Sequence, residues 1–168
     1  LFSLSTGYQH WAIPHTAAVI EVLAEKTGAF EIVRSDDVQM FAPDKIKEFD
    51  AVILNNNCSK GKYRNLFIDA LGEDKKDEDL VLEKSLIECV HNGGVRTAIH
   101  GAIVVLNKSA EFGNLLGGSF DFHPAQQQVT LNLVEPDHPL LKAFVGKPFV
   151  HVDEPYLFTG AYEKQNFR

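Results

Sequence analysis

Residues 50–56, "DAVILNN", form a continuous apolar run that closes on polar amides. A strand buried on both faces shows no in–out alternation, so this run reads as a parallel strand whose carboxyl end is marked by Asn55 and Asn56. "VRTAI" (95–99) repeats the pattern and runs into His100 and Gly101. Between the two runs, residues 57–76 are polar and poorly periodic and read as an excursion above the sheet. From about residue 77 to residue 92, Leu82, Leu86, Cys89 and Val90 recur at helical spacing, and "NGG" (92–94) closes the helix.

The same grammar extends outward. "LFSLS" (1–5) reads as a buried strand, "HTAAVIEVLAEKTG" (15–28) as a helix with Val19, Val22 and Leu23 on one face, and "AFEIVRS" (29–35) as a strand. "APDKIKEF" (42–49) reads as a short helical turn. Downstream come helical segments over 100–118, an alternating strand at 127–134 expected to be antiparallel, and an extended stretch in "KPFVHVDEPYLF" (147–158). Strands alternating with helices imply an α/β fold with a mostly parallel central sheet. The 168 residues suit one domain, 1–168; because the chain opens without methionine on a strand-like run, truncation at one or both ends is expected.

Composition narrows the function. The chain is 45% hydrophobic, 23% charged and carries a net charge of -7. No basic stretch can neutralise phosphates, so a general nucleic-acid partner is excluded. No apolar run is long enough to span a bilayer. The two cysteines, Cys58 and Cys89, form no CxxC pair and leave the compartment open, cytoplasmic or exported with the signal removed. GxSxG, GxGxxG, P-loop and HExxH signals are all missing, so no nucleotide cofactor is expected.

Ligands of parallel α/β sheets bind beyond the carboxyl ends of the strands. That rim would carry the loop "TGYQHWAIPHT" (6–16) after the first strand, the asparagines 55–57 after the third, and His100 after the fourth. His100 stands at a tight strand-to-helix turn, which suits a base, a nucleophile or a metal ligand. His10 is expected to face it, with His15 assigned a local role at the start of the first helix. His123 lies beside Asp121 in "GGSFDFHP" (117–124), and "HVDEPY" (151–156) sets Asp153 and Glu154 together, with His151 and Asp153 on one face. His138 in "EPDHPL" reads as structural, and Cys58 lacks the surroundings of a thiol nucleophile.

"TGYQHWAIPHT", "FDAVILNNN", "NGGVRTAIHGA", "FGNLLGGSFDFHP", "DHPLLKAF" and "DEPYLF" occur in that order, and the ordered set resembles the ThuA-like (trehalose utilisation) family from residue 1 to about 158. The resemblance implies a flavodoxin-like three-layer sandwich related to class I glutamine amidotransferases, and an association with disaccharides and keto-sugars. Its polar positions fall on His10, Asn55, His100, His123, Asp153 and Glu154. His100 occupies the turn where the amidotransferases hold their cysteine, and an imidazole cannot replace a thiolate in forming an acyl intermediate, so glutaminase chemistry is not expected. The chain departs from the family at Ala98, where glycine is common, and in "GAIVVLNKSAEF" (101–112), which lacks the usual tryptophan.

Two functional readings follow. In the first, the chain is an enzyme on a sugar or keto-sugar, of isomerase, lyase or hydrolase type. His100, His10, Glu154 and Asp153 would be catalytic, Asn55, Asn56, Tyr8, Trp11 and Tyr156 would bind substrate, and His10, His100 and His123 would hold a divalent metal, Zn or Mn. In the second, an amidotransferase-like scaffold without its nucleophile serves as a non-catalytic sugar-binding or interaction module. A small-molecule carbohydrate is the partner in both, and self-association into a homo-oligomer stays open.

Overall fold

The structure, a computed structural model, describes residues 1–160. The last part of the expected 1–168 domain, residues 161–168, lies outside the described residues. Two compact units emerge, Leu1–Ser119, rejoined at Thr159, and Phe120–Phe158.

In the larger unit, strands β1 (Ala51–Asn55) and β2 (Val95–Ile99) pair in parallel, in register from Ala51↔Val95 to Asn55↔Ile99. Their carboxyl ends are therefore level. Helix α1 (Ala12–Thr27) precedes them, and α2 (Leu66–Leu71), α3 (Lys76–His91) and α4 (Ala110–Leu116) follow in chain order around β2. Asp77, Glu78 and Asp79 in the first turn of α3 and His91 in its last complement the helix dipole. The core gathers Phe2, Phe41, Leu54, Phe67, Leu86 and Phe112, with the Phe2 and Phe41 rings edge to face at 4.7 Å.

A mixed α/β fold stands; the expected mostly parallel central sheet is not confirmed. The described residues form three two-stranded sheets, and the runs at 1–5 and 29–35 contribute only single parallel bridges, Phe2 to Leu54 and Phe2 to Ser35. Asn56 takes a left-handed backbone, φ 54°, which ends β1. Main-chain bonds still tie these runs together, from the Phe2 N–H to the Ile53 carbonyl, the Asn55 N–H to the Phe2 carbonyl and the Ser3 N–H to the Ser35 carbonyl, and beyond them the side-chain amide of Asn57 donates to the carbonyls of Phe2 and Leu4 at 3.2 and 2.7 Å.

Two other expectations change. Residues 57–76 contain a helix, α2, started by Asn65, whose side chain accepts from the N–H groups of Phe67 and Ile68. On α1 the buried positions are Ala17 and Ala24, while Val19, Val22 and Leu23 are 44%, 43% and 49% exposed. Small residues face the sheet because they let the helix approach closely, and the valine–leucine face is left outward.

In the smaller unit β4 (Gln127–Leu131) pairs antiparallel with β5 (Phe149–Asp153), as the alternation at 127–134 implies. His151 and Asp153 share one face of β5, opposite Val129 and Gln127. β3 (Ser119–Phe122) and β6 (Leu157–Thr159) form the third sheet.

Candidate functional site

β1 and β2 end at the same level, and each then enters the left-handed region at its next residue, Asn56 with φ 54° and His100 with φ 47°. Positive φ is uncommon outside glycine, though asparagine and histidine tolerate it better than most residues, and it is retained where surrounding contacts impose it. Here the Asn56 N–H donates to the Ile99 carbonyl at 3.1 Å, locking the two strand ends together. A 3-10 turn, His100–Val104, follows, which keeps His100 exposed and buries Gly101 and Ala102.

His10 reaches this turn from the first loop. The imidazoles of His10 and His100 meet edge to face, with centroids 4.7 Å apart and planes at 80°. Tyr8 packs on His10 in the same manner, centroids 4.8 Å apart. Gly101 permits the approach, because a Cβ there would lie 2.9 Å from His10 Nε2 and 3.3 Å from the Asn56 carbonyl oxygen. Tyr8 and Trp11 stand 67% and 83% exposed beside the pair. His15 is exposed in the first turn of α1.

Asn55 and Asn56, expected to bind substrate, are only 0% and 3% exposed. The Asn55 amide donates to Ser3 Oγ and to the Ile13 carbonyl, and the Asn56 amide donates to Asn55 Oδ1 at 2.9 Å. In this geometry they brace the rim from beneath, tying the first loop and the start of α1 to the end of β1.

The smaller unit holds a second cluster. His123 Nδ1 lies 3.0 Å from the Pro124 carbonyl. A carbonyl only accepts, so Nδ1 carries the hydrogen and Nε2 is turned to Glu154 Oε2, 3.7 Å away. The His123 ring stacks on Tyr156, centroids 5.5 Å and planes 15° apart, and Tyr156 contacts Phe120 at 4.6 Å. Asp153 is exposed and accepts from the Glu154 N–H at 2.8 Å. His138 accepts from the Leu140 N–H and caps a 3-10 turn, the structural role expected of it.

Among the described residues no group of three or more His, Cys, Asp or Glu side chains is gathered as a metal requires. The expectation of a divalent metal on His10, His100 and His123 is therefore not supported.

The ThuA (trehalose utilisation) family model matches residues 1–167. The chain belongs to the ThuA family. The structure is similar to the crystal structure of a ThuA-like protein from Bacteroides uniformis ATCC 8492, with a TM-score of 0.69 at 18% sequence identity over 96% of this chain and 61% of that one. At that identity the likeness speaks for the fold, and this chain spans about three-fifths of the neighbour's length. No curated protein matches the sequence. Among the described residues of this ThuA-family chain no helix is long and apolar enough to cross a membrane.

One residue of this ThuA-family rim escaped the sequence reading. Asp69, on α2, accepts four hydrogen bonds at a single oxygen, Oδ2, from Thr6 Oγ1, Ser59 Oγ and the N–H groups of Lys60 and Gly61. Burial alone would raise its pKa, but the four donors together outweigh burial and hold the carboxyl below the ordinary aspartate value. A single aspartate inside the apolar run "LFIDAL" (66–71) carries no periodic signal of its own, so only the fold could reveal its role.

Proposed function

We propose that this chain is a carbohydrate-active protein whose site is the Tyr8–His10–His100 cluster at the carboxyl ends of β1 and β2. The observation that carries the reading is the contact between two imidazoles, 4.7 Å apart, at a turn whose first residue is kept in a left-handed backbone. Imidazoles can accept and donate protons near neutrality, which suits proton transfer beside a sugar carbonyl or at a hydroxyl. Isomerisation and elimination next to a carbonyl need such transfers, and so does hydrolysis. In the smaller unit, Glu154 and His123 with Tyr156 form a carboxylate–imidazole pair on an aromatic platform, suited to the same chemistry or to holding a sugar ring. Tyr8 and Trp11 would supply open faces for stacking.

A second reading, a non-catalytic sugar-binding module, is favoured by the exposure of Tyr8 and Trp11, since exposed aromatic faces beside a polar cluster suffice for recognition without turnover.

The test uses a panel of disaccharides and keto-sugars. Trp11 is the only tryptophan, so its fluorescence reports on the rim alone. A sugar that changes Trp11 emission and shifts the His10 and His100 ring signals in NMR, with both effects lost in His100→Ala, supports the site. Product formation separates the enzyme from the module. If no sugar moves either probe, the reading fails.

A further inference from the structure

We propose that Asp69 is the positioning residue of the histidine site, a single carboxylate that clips the two rim loops together and so sets where His10 meets His100. This rests on the reading of that cluster as the site.

The first loop has no regular structure of its own to hold it. The N–H groups of Thr6 and Gly7 donate to the Cys58 carbonyl at 2.9 and 2.7 Å, and the Cys58 N–H donates to Ser5 Oγ at 3.1 Å. Ser5 Oγ is also 2.9 Å from the Tyr8 carbonyl, so the loop that carries Tyr8 and His10 is laid along residues 58–59. That second loop is irregular as well. Both are anchored at one point. Asp69 Oδ2 accepts from Thr6 Oγ1 at 2.6 Å on the first loop, and from Ser59 Oγ at 2.8 Å, Lys60 N at 3.0 Å and Gly61 N at 3.2 Å on the second. Hydrogen bonds to an ionised acceptor are about twice as strong as neutral ones, and a converging set fixes direction as well as distance.

The anchor is itself fixed. Asp69 belongs to α2, whose Leu66 and Phe67 are fully buried in the core. Gly61 closes over the carboxylate so tightly that a Cβ there would lie 2.0 Å from Asp69 Oδ1. The path therefore runs from a core helix through one carboxylate to Thr6, then along four residues to His10.

Asp69→Ala removes the clip, Gly61→Ala displaces the carboxylate without removing it, and Asp69→Asn keeps one acceptor oxygen as the conservative control. The readout is proton NMR of the wild-type chain and variants. It follows the ring-to-ring cross-peaks of His10 with His100 and of Tyr8 with His10, with the His151–Phe149 cross-peak of the smaller unit as internal standard. Expected in Asp69→Ala and Gly61→Ala is loss of both rim cross-peaks with the standard intact, and partial return in Asp69→Asn. If Asp69→Ala does not fold, Thr6→Val, which cuts only the first-loop bond, is expected to shift the Tyr8 and His10 signals. Wild-type rim cross-peaks in folded Asp69→Ala or Gly61→Ala overturn the proposal, as do unmoved signals in Thr6→Val. The outcome needs no sugar. A failed sugar panel with cross-peaks that depend on Asp69 would refute the functional reading and leave the clip standing.

Discussion

Gly101 lies directly beneath His10, so close that a Cβ on Gly101 would stand 2.9 Å from His10 Nε2. The imidazole can swing away, but the Asn56 carbonyl oxygen, 3.3 Å from the same point, belongs to the main chain and cannot. Gly101→Ala is therefore expected to destabilise the fold by about 1–3 kcal/mol, the usual cost of overpacking a buried position. It should also displace His10 from His100. Urea denaturation gives the first quantity and the ring-to-ring cross-peak the second; an unchanged cross-peak would show that the rim absorbs the methyl elsewhere.

His100 offers the opposite sign. Its φ of 47° is a region glycine enters freely. His100→Gly is expected to raise stability by about 1 kcal/mol through relief of backbone strain, while abolishing any sugar response of Trp11. Stability gained and function lost in one substitution is the mark of a residue kept for its chemistry. A destabilised His100→Gly would instead assign the imidazole a packing role against His10.

Asp69 sets a pH dependence. Its carboxyl is held below the ordinary aspartate value: burial works against that direction, and the donors from Thr6, Ser59, Gly61 and Lys60 prevail. A depressed folded pKa contributes stability that is fully present above the unfolded value, about 3.9, and is lost as the pH falls through the folded one. The stability gap between wild type and Asp69→Asn should thus be constant from neutral pH down to about pH 5 and close below about pH 4. Denaturation curves at stepped pH measure it, and a gap that persists in acid would contradict the charge-based clip.

Glu83 runs the other way. It lines a cavity of about 400 Å³ with Asp79, Asn65 and Ser109. Burial raises its pKa, Asp79 and Glu111 raise it further, and Ser109 acts against them. A raised carboxyl favours the protonated form in the fold, so its ionisation weakens the fold as pH rises from the unfolded value through the folded one. Glu83→Gln is expected to be more stable than wild type at pH 7 and equal to it below about pH 4. A thermal scan at the two pH values decides the point.

Arg96, on β2, places its guanidinium over the Phe112 ring at 5.4 Å and donates from Nη2 to the Leu86 carbonyl. Its Nε and Nη1 are buried without a hydrogen-bond partner, and burial lowers its pKa to about 10, with Cys89 countering. A cation held with unmet donors is a cost that an apolar side chain of similar length avoids. Arg96→Met is expected to be no less stable than wild type, and up to about 1 kcal/mol more stable. A loss of stability would mean that the stacking on Phe112 outweighs desolvation.

What the sequence by itself determined is local. The apolar runs at 51–55 and 95–99 announce β1 and β2 as parallel strands, although burial on both faces is not reached: only Leu54 and Asn55 of β1 are buried, and Val95 of β2 is 61% exposed. The helical spacing of Leu82, Leu86 and Cys89 announces α3, and the strand-to-turn step at Ile99–His100 announces an exposed imidazole. Order along the chain even placed His10 and His100 on one rim, since loops that follow parallel strands emerge on the same side. Tertiary structure decided what depends on partners far apart in sequence. Three asparagines that read as a polar rim are buried instead: the Asn55 amide donates to the Ile13 carbonyl at the start of α1, the Asn57 amide to the Phe2 and Leu4 carbonyls, and the Asn56 amide to the side chain of Asn55. Asp69, invisible to periodicity, becomes the anchor of two loops because α2 brings one carboxylate within reach of donors 8 and 63 residues away. Spacing along a chain encodes which face a side chain takes, whereas which group it bonds is set only when the distant elements have packed.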